Sequence, residues 1–478
     1  MTASLTPPDS EEANFINEQT PLLPGSEAQQ KHDAVYSRFT KAQKRTILTL
    51  ICLAAVTPLF ISGSFIPAIP QIARDLNTTG PVVNLAVSLS VLSNAFGSLL
   101  WSSYSSYYGR RPIYLLSLSI QCVGSFGVAS AGSVPALLIW RVIQAFGCSS
   151  GMSVGMGVIG DIFKVEERGT ASGIFFASNL LGPALAPFVG GVTAHYWSWR
   201  VLQYGLLLFA FGCLMLTVFL QPETSQPGAR GIDKAKAKGE KPRLVFLNPF
   251  KSLALLRSPN IGLPALEGAF ALIGNYSIIV PVAYTVGKTY NITNSAILGA
   301  LCIPLGLGNC VGAPLSGMLS DRIIIAARKR RGGVWIPEDR LQAALFGAGV
   351  LAPCSILFAG LVLHFMHNTA GLVLVCICFF FNGVGVDFVM SPLAAYNIDI
   401  LHDRSAEVIA ATMSFRSLLI SSSVVLILPT INTFGVFAAY GIIAVLSWIG
   451  FTFILATIKY GDKMRSWVDL GFSTAETN

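Results

Sequence analysis

Charge is what this chain has least of. Asp, Glu, Lys and Arg make up 12 % of its 478 residues and hydrophobic residues 53 %, with a mean hydropathy of +0.62; a soluble domain carries about 25 % charged residues. So few charges cannot cover a water-facing surface, which excludes an ordinary soluble globule. Cysteine is sparse too. All nine lie inside apolar runs, without CxxC or Cys/His spacing, so they read as small packing residues and neither a metal site nor a disulfide framework is expected. The polar first 45 residues lack an apolar core and a small-residue cleavage site, so the first apolar run reads as a retained signal anchor. Enzyme motifs are missing as well: there is no GxSxG, no HExxH and no paired-carboxylate site. The nearest approach to a phosphate loop, Gly287-Lys288-Thr289, has Val282 where the first glycine belongs, which argues against a nucleotide-driven pump. His195, His364 and His367 stand at the ends of apolar runs without metal-ligand neighbours. Neither an enzyme, a cofactor nor a bound metal is expected.

What is present is a series of apolar runs of about 20 to 25 residues, each long enough to cross a hydrocarbon core of about 30 Å as a helix. They fall near 46–70, 82–104, 112–131, 134–160, 170–195, 199–220, 262–287, 295–320, 341–363, 370–397, 406–429 and 434–458. The expected fold is therefore all-α and integral to the membrane, with twelve transmembrane helices in two six-helix bundles around a central cavity and no strands. Residues 1–45 form a polar tail expected to be disordered, 46–220 the first bundle, 221–260 a basic linker, 261–460 the second bundle and 461–478 a second tail. Within the first tail, Glu18 to Leu23 resembles an acidic dileucine sorting signal.

The linker fixes the orientation. It holds eight basic residues (Arg230, Lys234, Lys236, Lys238, Lys241, Arg243, Lys251, Arg257), and short loops rich in Lys and Arg stay in the cytoplasm. With both termini on that side, 27 of the 32 Lys and Arg residues are cytoplasmic, and only Arg74 and Lys288 lie in loops on the other side. The net charge of +8 is thus a topology signal and no sign of a nucleic-acid partner. Two glycosylation-type sequons, at Asn77 and Asn291, fall in loops outside; a third, at Asn275, lies within a span.

Several spans are built to bend or to pack closely. Pro58, Pro67 and Pro70 interrupt the first, Gly147, Gly151 and Gly155 give the fourth a small-residue face, and Gly182-Pro183, Pro187 and Gly190-Gly191 combine a weakened helix with close backbone approach. Ionisable residues at membrane depth carry more information, because each costs about 2.5 to 3.5 kcal/mol on insertion scales. The first half has Arg141 and no deep carboxylate. The second has Glu267, Asp387 and Arg416. These four, with Gln144 beside Arg141, are the candidates for substrate or proton coupling; a structural ion pair is the competing reading of Arg141. Asp161, Asp399 and Glu407 lie near cytoplasmic helix ends, where capping or pairing with loop cations explains them. A deep arginine without a deep acid in the first six spans suits an anionic substrate.

The Tyr108-Gly109-Arg110-Arg111-Pro112 turn, Arg141-x-x-Gln144, Glu167 to Gly173 (ERGTASG), Gly182 to Gly191 (GPALAPFVGG), Trp199-Arg200 and Pro222 to Ser225 (PETS) together resemble the major facilitator superfamily. In this order they look like its twelve-span drug:proton antiporter branch in fungi, which includes exporters encoded in biosynthetic clusters. The second half adds Gly312, Gly317, Asp321 and Arg322 after span eight, Tyr396 to Asp399, and Arg416. The resemblance covers roughly residues 45 to 460. It implies that Gly109, Arg110, Arg111, Gly317, Asp321 and Arg322 steady one conformational state, and that the motif at Gly182, Pro183, Pro187, Gly190 and Gly191 acts as a bend and leak seal of antiporters. One departure stands out: Ser102, Ser106 and Tyr107 occupy positions where the family has glycine, an acid and a base, so either the conformational equilibrium is shifted or another group substitutes. The matching loop motifs lie about 215 positions apart (Ser106 against Asp321).

The reading is a single-chain secondary transporter, monomeric in membrane lipid. It exports a small organic molecule, whether drug, secondary metabolite or dicarboxylate, in exchange for protons by alternating access. A nutrient facilitator or symporter and a transport-inactive sensor are the competing classes. The plasma membrane is the first expected location and the vacuolar membrane the second.

Overall fold

The computed structural model describes residues 36–163, 165–226, 228, 230–237, 247–332, 336–401 and 405–467. The dileucine-like stretch, Lys238, Lys241, Arg243 and residues 468–478 lie outside the described residues, as do the side chains of Glu167 and Arg168.

A backbone that crosses hydrocarbon must satisfy its own N–H and C=O groups, and every described crossing segment is helical, with no strand among the described residues. In chain order these are α1 (Lys41–Asp75, with a 3₁₀ turn at Ile66–Ala68), α2 (Gly80–Tyr108), α3 (Arg110–Ala129), α4 (Val134–Ile162, in two pieces meeting at Ser149), α5 (Val165–Tyr196) and α6 (Trp199–Leu220). The second half continues with α7 (Pro259–Ile279), α8 (Ser295–Arg330), α9 (Pro337–Phe365) and α10 (Thr369–Ile400). The helix Ser405–Trp467 breaks at Gly435, where φ is 83°, into α11 (405–434) and α12 (436–467). Nine described segments are long and apolar enough to span by length and composition alone, one of them the α11–α12 pair. α5 and α7 complete the twelve, α7 carrying Asn260, Glu267 and Asn275 among its apolar residues.

Prolines in the spans strand carbonyls that something else must answer. Pro58 leaves the Ala54 carbonyl without its helical donor, and the Thr57 hydroxyl donates to it at 2.6 Å. Pro353 does the same to Gly349 beside a π-turn at Gly347–Leu351, and the Trp448 indole N–H of α12 donates there at 3.0 Å. The glycines of α4 do not form one seam. Gly147 lies on the backbone of Gln121 in α3, Gly151 on Ala54 in α1, and Gly155 on Phe175 in α5, so a single helix packs closely on three neighbours.

Buried apolar residues show how the halves meet. One cluster draws on both: Phe65, Val83, Val87 and Val91 from the first, Ile278, Leu305, Val424 and Ile427 from the second, all toward the end away from the linker. At the linker end there are two separate clusters, one of first-half residues such as Ile51, Val158 and Phe175, the other of second-half residues such as Leu255, Ile261 and Ile400. Polar contacts follow the same division. The Asn84 side-chain amide of α2 donates to the Val424 carbonyl of α11 at 2.5 Å, and Ser88 donates to the Ser421 carbonyl at 2.7 Å. Near mid-depth, Ser414 donates to the Ala95 carbonyl at 3.1 Å. In the other seam Gly191 abuts Ser295, Gly299 abuts Pro187 and Gly306 abuts Ala184. The halves are joined at the far end and hold separate cores at the linker end.

Candidate functional site

Arg141 lies on α4 among residues that fix it from one side only. It is fully buried. Its guanidinium stacks on the Phe65 ring of α1, 4.2 Å from the centroid, a favourable placement for a cation in an apolar site. Nη1 donates to the Gln144 side-chain oxygen, one turn along α4, at 2.9 Å. The Gln144 amide nitrogen donates to Ser125 Oγ of α3 and to Gln203 Oε1 of α6, each at 3.0 Å. Arg141 Nε and Nη2 are buried and meet no acceptor, and no carboxylate pairs with it among the described residues. These two nitrogens form the side-on edge of the guanidinium, the pair of parallel donors that matches a carboxylate.

Arg416 on α11 is the counterpart in the second half. It is buried, its Nη1 rests 3.5 Å from the Met390 sulfur of α10, and Gly268 of α7 makes room for it: a Cβ there would lie 3.0 Å from Arg416 Cδ. The two deep acids are not its partners. Glu267 is buried against Gly450 of α12, with Oε2 unmet. Asp387 packs on α8, where a Cβ on Gly312 would stand 3.2 Å from its own Cβ, and its Oδ2 is buried and unmet. The structure thus brings Arg141 and Gln144 together and keeps Glu267, Asp387 and Arg416 on separate contacts.

The loop motifs gather at the linker end, one set per half. Gly109, with φ 115°, ends α2 and starts α3 in a conformation that other residues avoid. The Glu223 carboxylate of the PETS segment sits over this turn and accepts from the Arg110 and Arg111 backbone N–H groups at 3.0 and 3.3 Å, a charge-matched cap on the first turn of α3. Arg110 pairs with Asp161 at 2.9 Å and donates to Ser105 and Ser106 at 2.8 and 3.4 Å, while Arg111 donates to the Val218 carbonyl at 2.8 Å. In the second half Arg340 pairs with Asp321 at 2.9 Å and Asp399 at 2.7 Å. Asp161 and Asp399 therefore pair with loop arginines, as their positions suggested. Gly317 lies 3.8 Å from Ser391 by the same Cβ measure, and Arg322 is exposed. In the α5 motif, Gly182 and Gly190 lie against α1 and Gly191 against α8, with Pro183 and Pro187 inside the helix.

Asn77 and Asn291 each close a turn with positive φ, 48° and 54°, after α1 and after α7 respectively. Both lie at the end away from the linker.

Of the residues that build these contacts, Phe65, Gln203, Arg340 and Met390 are not among the sequence candidates, and Glu223 enters there only as part of the PETS stretch. Gln203 carried a signal, being the one side-chain amide in α6; Phe65 and Met390 carried none, since aromatic and thioether side chains are ordinary in spans.

The family model described as Major Facilitator Superfamily matches residues 51–424. This chain belongs to that superfamily. Among relatives, MFS antiporter QDR3 of Candida albicans is 36 % identical over 181 residues, 38 % of this chain and 26 % of that protein. Citrate exporter 1 of Aspergillus niger is 28 % identical over 219 residues, 46 % of this chain and 41 % of that one. The chain thus spans less than half the length of either relative. The partially occluded inward-open structure of the xylose transporter XylE from E. coli superposes with a TM-score of 0.65 at 15 % identity, covering 88 % of this chain and 98 % of that one. Superfamily members are membrane proteins that act on small molecules, and the fold here is theirs.

Proposed function

We propose that this chain exports a small organic acid in exchange for protons by alternating access, with the side-on edge of Arg141 as the anchor for a substrate carboxylate. The observation that carries this reading is the bare Nε and Nη2 pair, buried beside Phe65 and met by no acid. An unpaired buried charge is expensive, and in a transmembrane segment it marks a substrate or ion pathway. An anion entering that edge supplies the missing partner and takes up two charge-assisted hydrogen bonds at once.

The separate apolar clusters at the linker end support a state open there and closed opposite. With the basic linker in the cytoplasm, that state faces inward, ready to load an anion for export. Protons are carried by Glu267 and Asp387, whose Oε2 and Oδ2 have no donor. The names of QDR3 as an antiporter and of the Aspergillus niger protein as a citrate exporter agree with this direction and substrate class. The protein works as a monomer in the plasma membrane, or second to that the vacuolar membrane, with both termini cytoplasmic.

Ligand-induced thermal stabilisation of the purified protein tests the anchor. Acetate, succinate and citrate are offered in turn at constant ionic strength, with chloride as the control. At least one carboxylate should raise the midpoint in the native protein and leave Arg141→Ala unmoved. Equal stabilisation of both proteins by the same acid would remove Arg141 from the site.

A further inference from the structure

We infer that Gln203 is a positioning residue for the anion site: from α6, through the Gln144 amide, it decides which edge of Arg141 is offered to substrate. The inference rests on the organic-acid reading above. It starts from the two faces of a glutamine amide, one that only donates and one that only accepts. Gln144 has to turn its oxygen toward Arg141, because guanidinium has no acceptor to give. What holds it that way is the pair of acceptors on its other side, Gln203 Oε1 and Ser125 Oγ, both 3.0 Å from Gln144 Nε2. Of these the serine hydroxyl can donate as well as accept and would serve either face of the Gln144 amide, whereas the Gln203 oxygen, on a residue 1 % exposed, only accepts. Gln203 is therefore the partner that selects the amide's orientation.

The consequence lies at the far side of Arg141. With Nη1 held by the Gln144 oxygen at 2.9 Å, the edge left over is Nε with Nη2, the bidentate one. Were the Gln144 amide released, Nη1 would lose its fixed acceptor, the guanidinium would be free to swing over Phe65, and the donor pair would lose its preset direction. Binding would weaken more than the later steps, since an incoming carboxylate would then have to order the guanidinium itself.

The test is transport kinetics in proteoliposomes for acetate, succinate and citrate, on Gln203→Met, which keeps shape and removes the acceptor, and Gln203→Glu, which keeps an acceptor oxygen. For the transported acid, Gln203→Met should raise KM about ten-fold with turnover within about two-fold, the size of one lost buried hydrogen bond. Gln203→Glu should return KM to within about two-fold of the native protein. If Gln203→Met does not fold, judged by its melting curve, Gln203→Asn withdraws the acceptor by one methylene and should show the same KM rise. An unchanged KM in the variant that folds, or a fall in turnover that matches or exceeds the KM effect, overturns the inference while leaving Arg141 in place. A native protein that moves none of the three acids overturns the organic-acid reading, and this inference with it.

Discussion

At the linker end an arginine in each half reaches the acid that closes a crossing helix. In the first half Arg110 reaches Asp161 at the end of α4; in the second Arg340 reaches Asp399 at the end of α10, and also Asp321 on α8. The difference is Ser106, which stands where the second half has Asp321. Burial decides how much that matters. The Arg110–Asp161 pair is 15 % and 17 % exposed and Arg340–Asp399 is 17 % and 19 %, so the inner pairs are equivalent, but Asp321 is 65 % exposed. An exposed pair contributes about 0–1 kcal/mol. The missing acid is thus the one with least to give in this state, and the Ser105 and Ser106 hydroxyls fill its place as neutral acceptors. The halves also differ deeper in: the first offers Arg141 with a bare fork, while the second spreads Glu267, Asp387 and Arg416 over separate contacts.

The sharpest way to break this comparison is at Arg141. Arg141→Ala and Arg141→Lys should both lower organic-acid transport by about 100-fold, because lysine restores charge but not the two parallel donors; vesicle uptake measures it, and full activity in the lysine variant would mean that charge alone suffices. Next come the inner pairs. Arg110→Ala and Arg340→Ala should each destabilise the protein by about 1–3 kcal/mol, since each removes the cation from a largely buried ion pair; melting in detergent should show similar losses, and unequal losses would end the equivalence argued here. Glu223→Gln removes the charged cap on α3 and should cost about 1 kcal/mol by the same measurement. Smallest of all, Ser106→Asp and Asp321→Ser should each change stability by less than about 1 kcal/mol. If Ser106→Asp shifted melting by several degrees, the exposed acid would matter more than its burial allows.

Much of this was legible in the chain itself. Composition and run length already give helices that cross a bilayer, and Gly435, the break between α11 and α12, falls just inside the last apolar run, two residues past the gap at 430–433. Arg141 stands out in the sequence because charge is rare at depth, and Gln144 because the Arg-x-x-Gln resemblance sets it beside Arg141. What could not be read was contact across helices. Nothing local to Glu223 says that it caps α3 more than 110 positions earlier, and nothing local to Arg340 says that it serves two acids at once. The separation of Glu267 from Arg416 is of the same kind: sequence supplies the charges, and only packing against Gly450 or Gly268 says which way each one turns.

The central claim is exchange of an organic anion for protons, and flux in proteoliposomes with an acidic lumen tests it most directly. Protons leaving the vesicle should drive labelled succinate or citrate inward above its outside concentration, opposite to the passive distribution of a weak acid, and collapse of the pH gradient should release it. Loss of the acid from the lumen together with the protons, or no protein-dependent flux at all, would contradict the account.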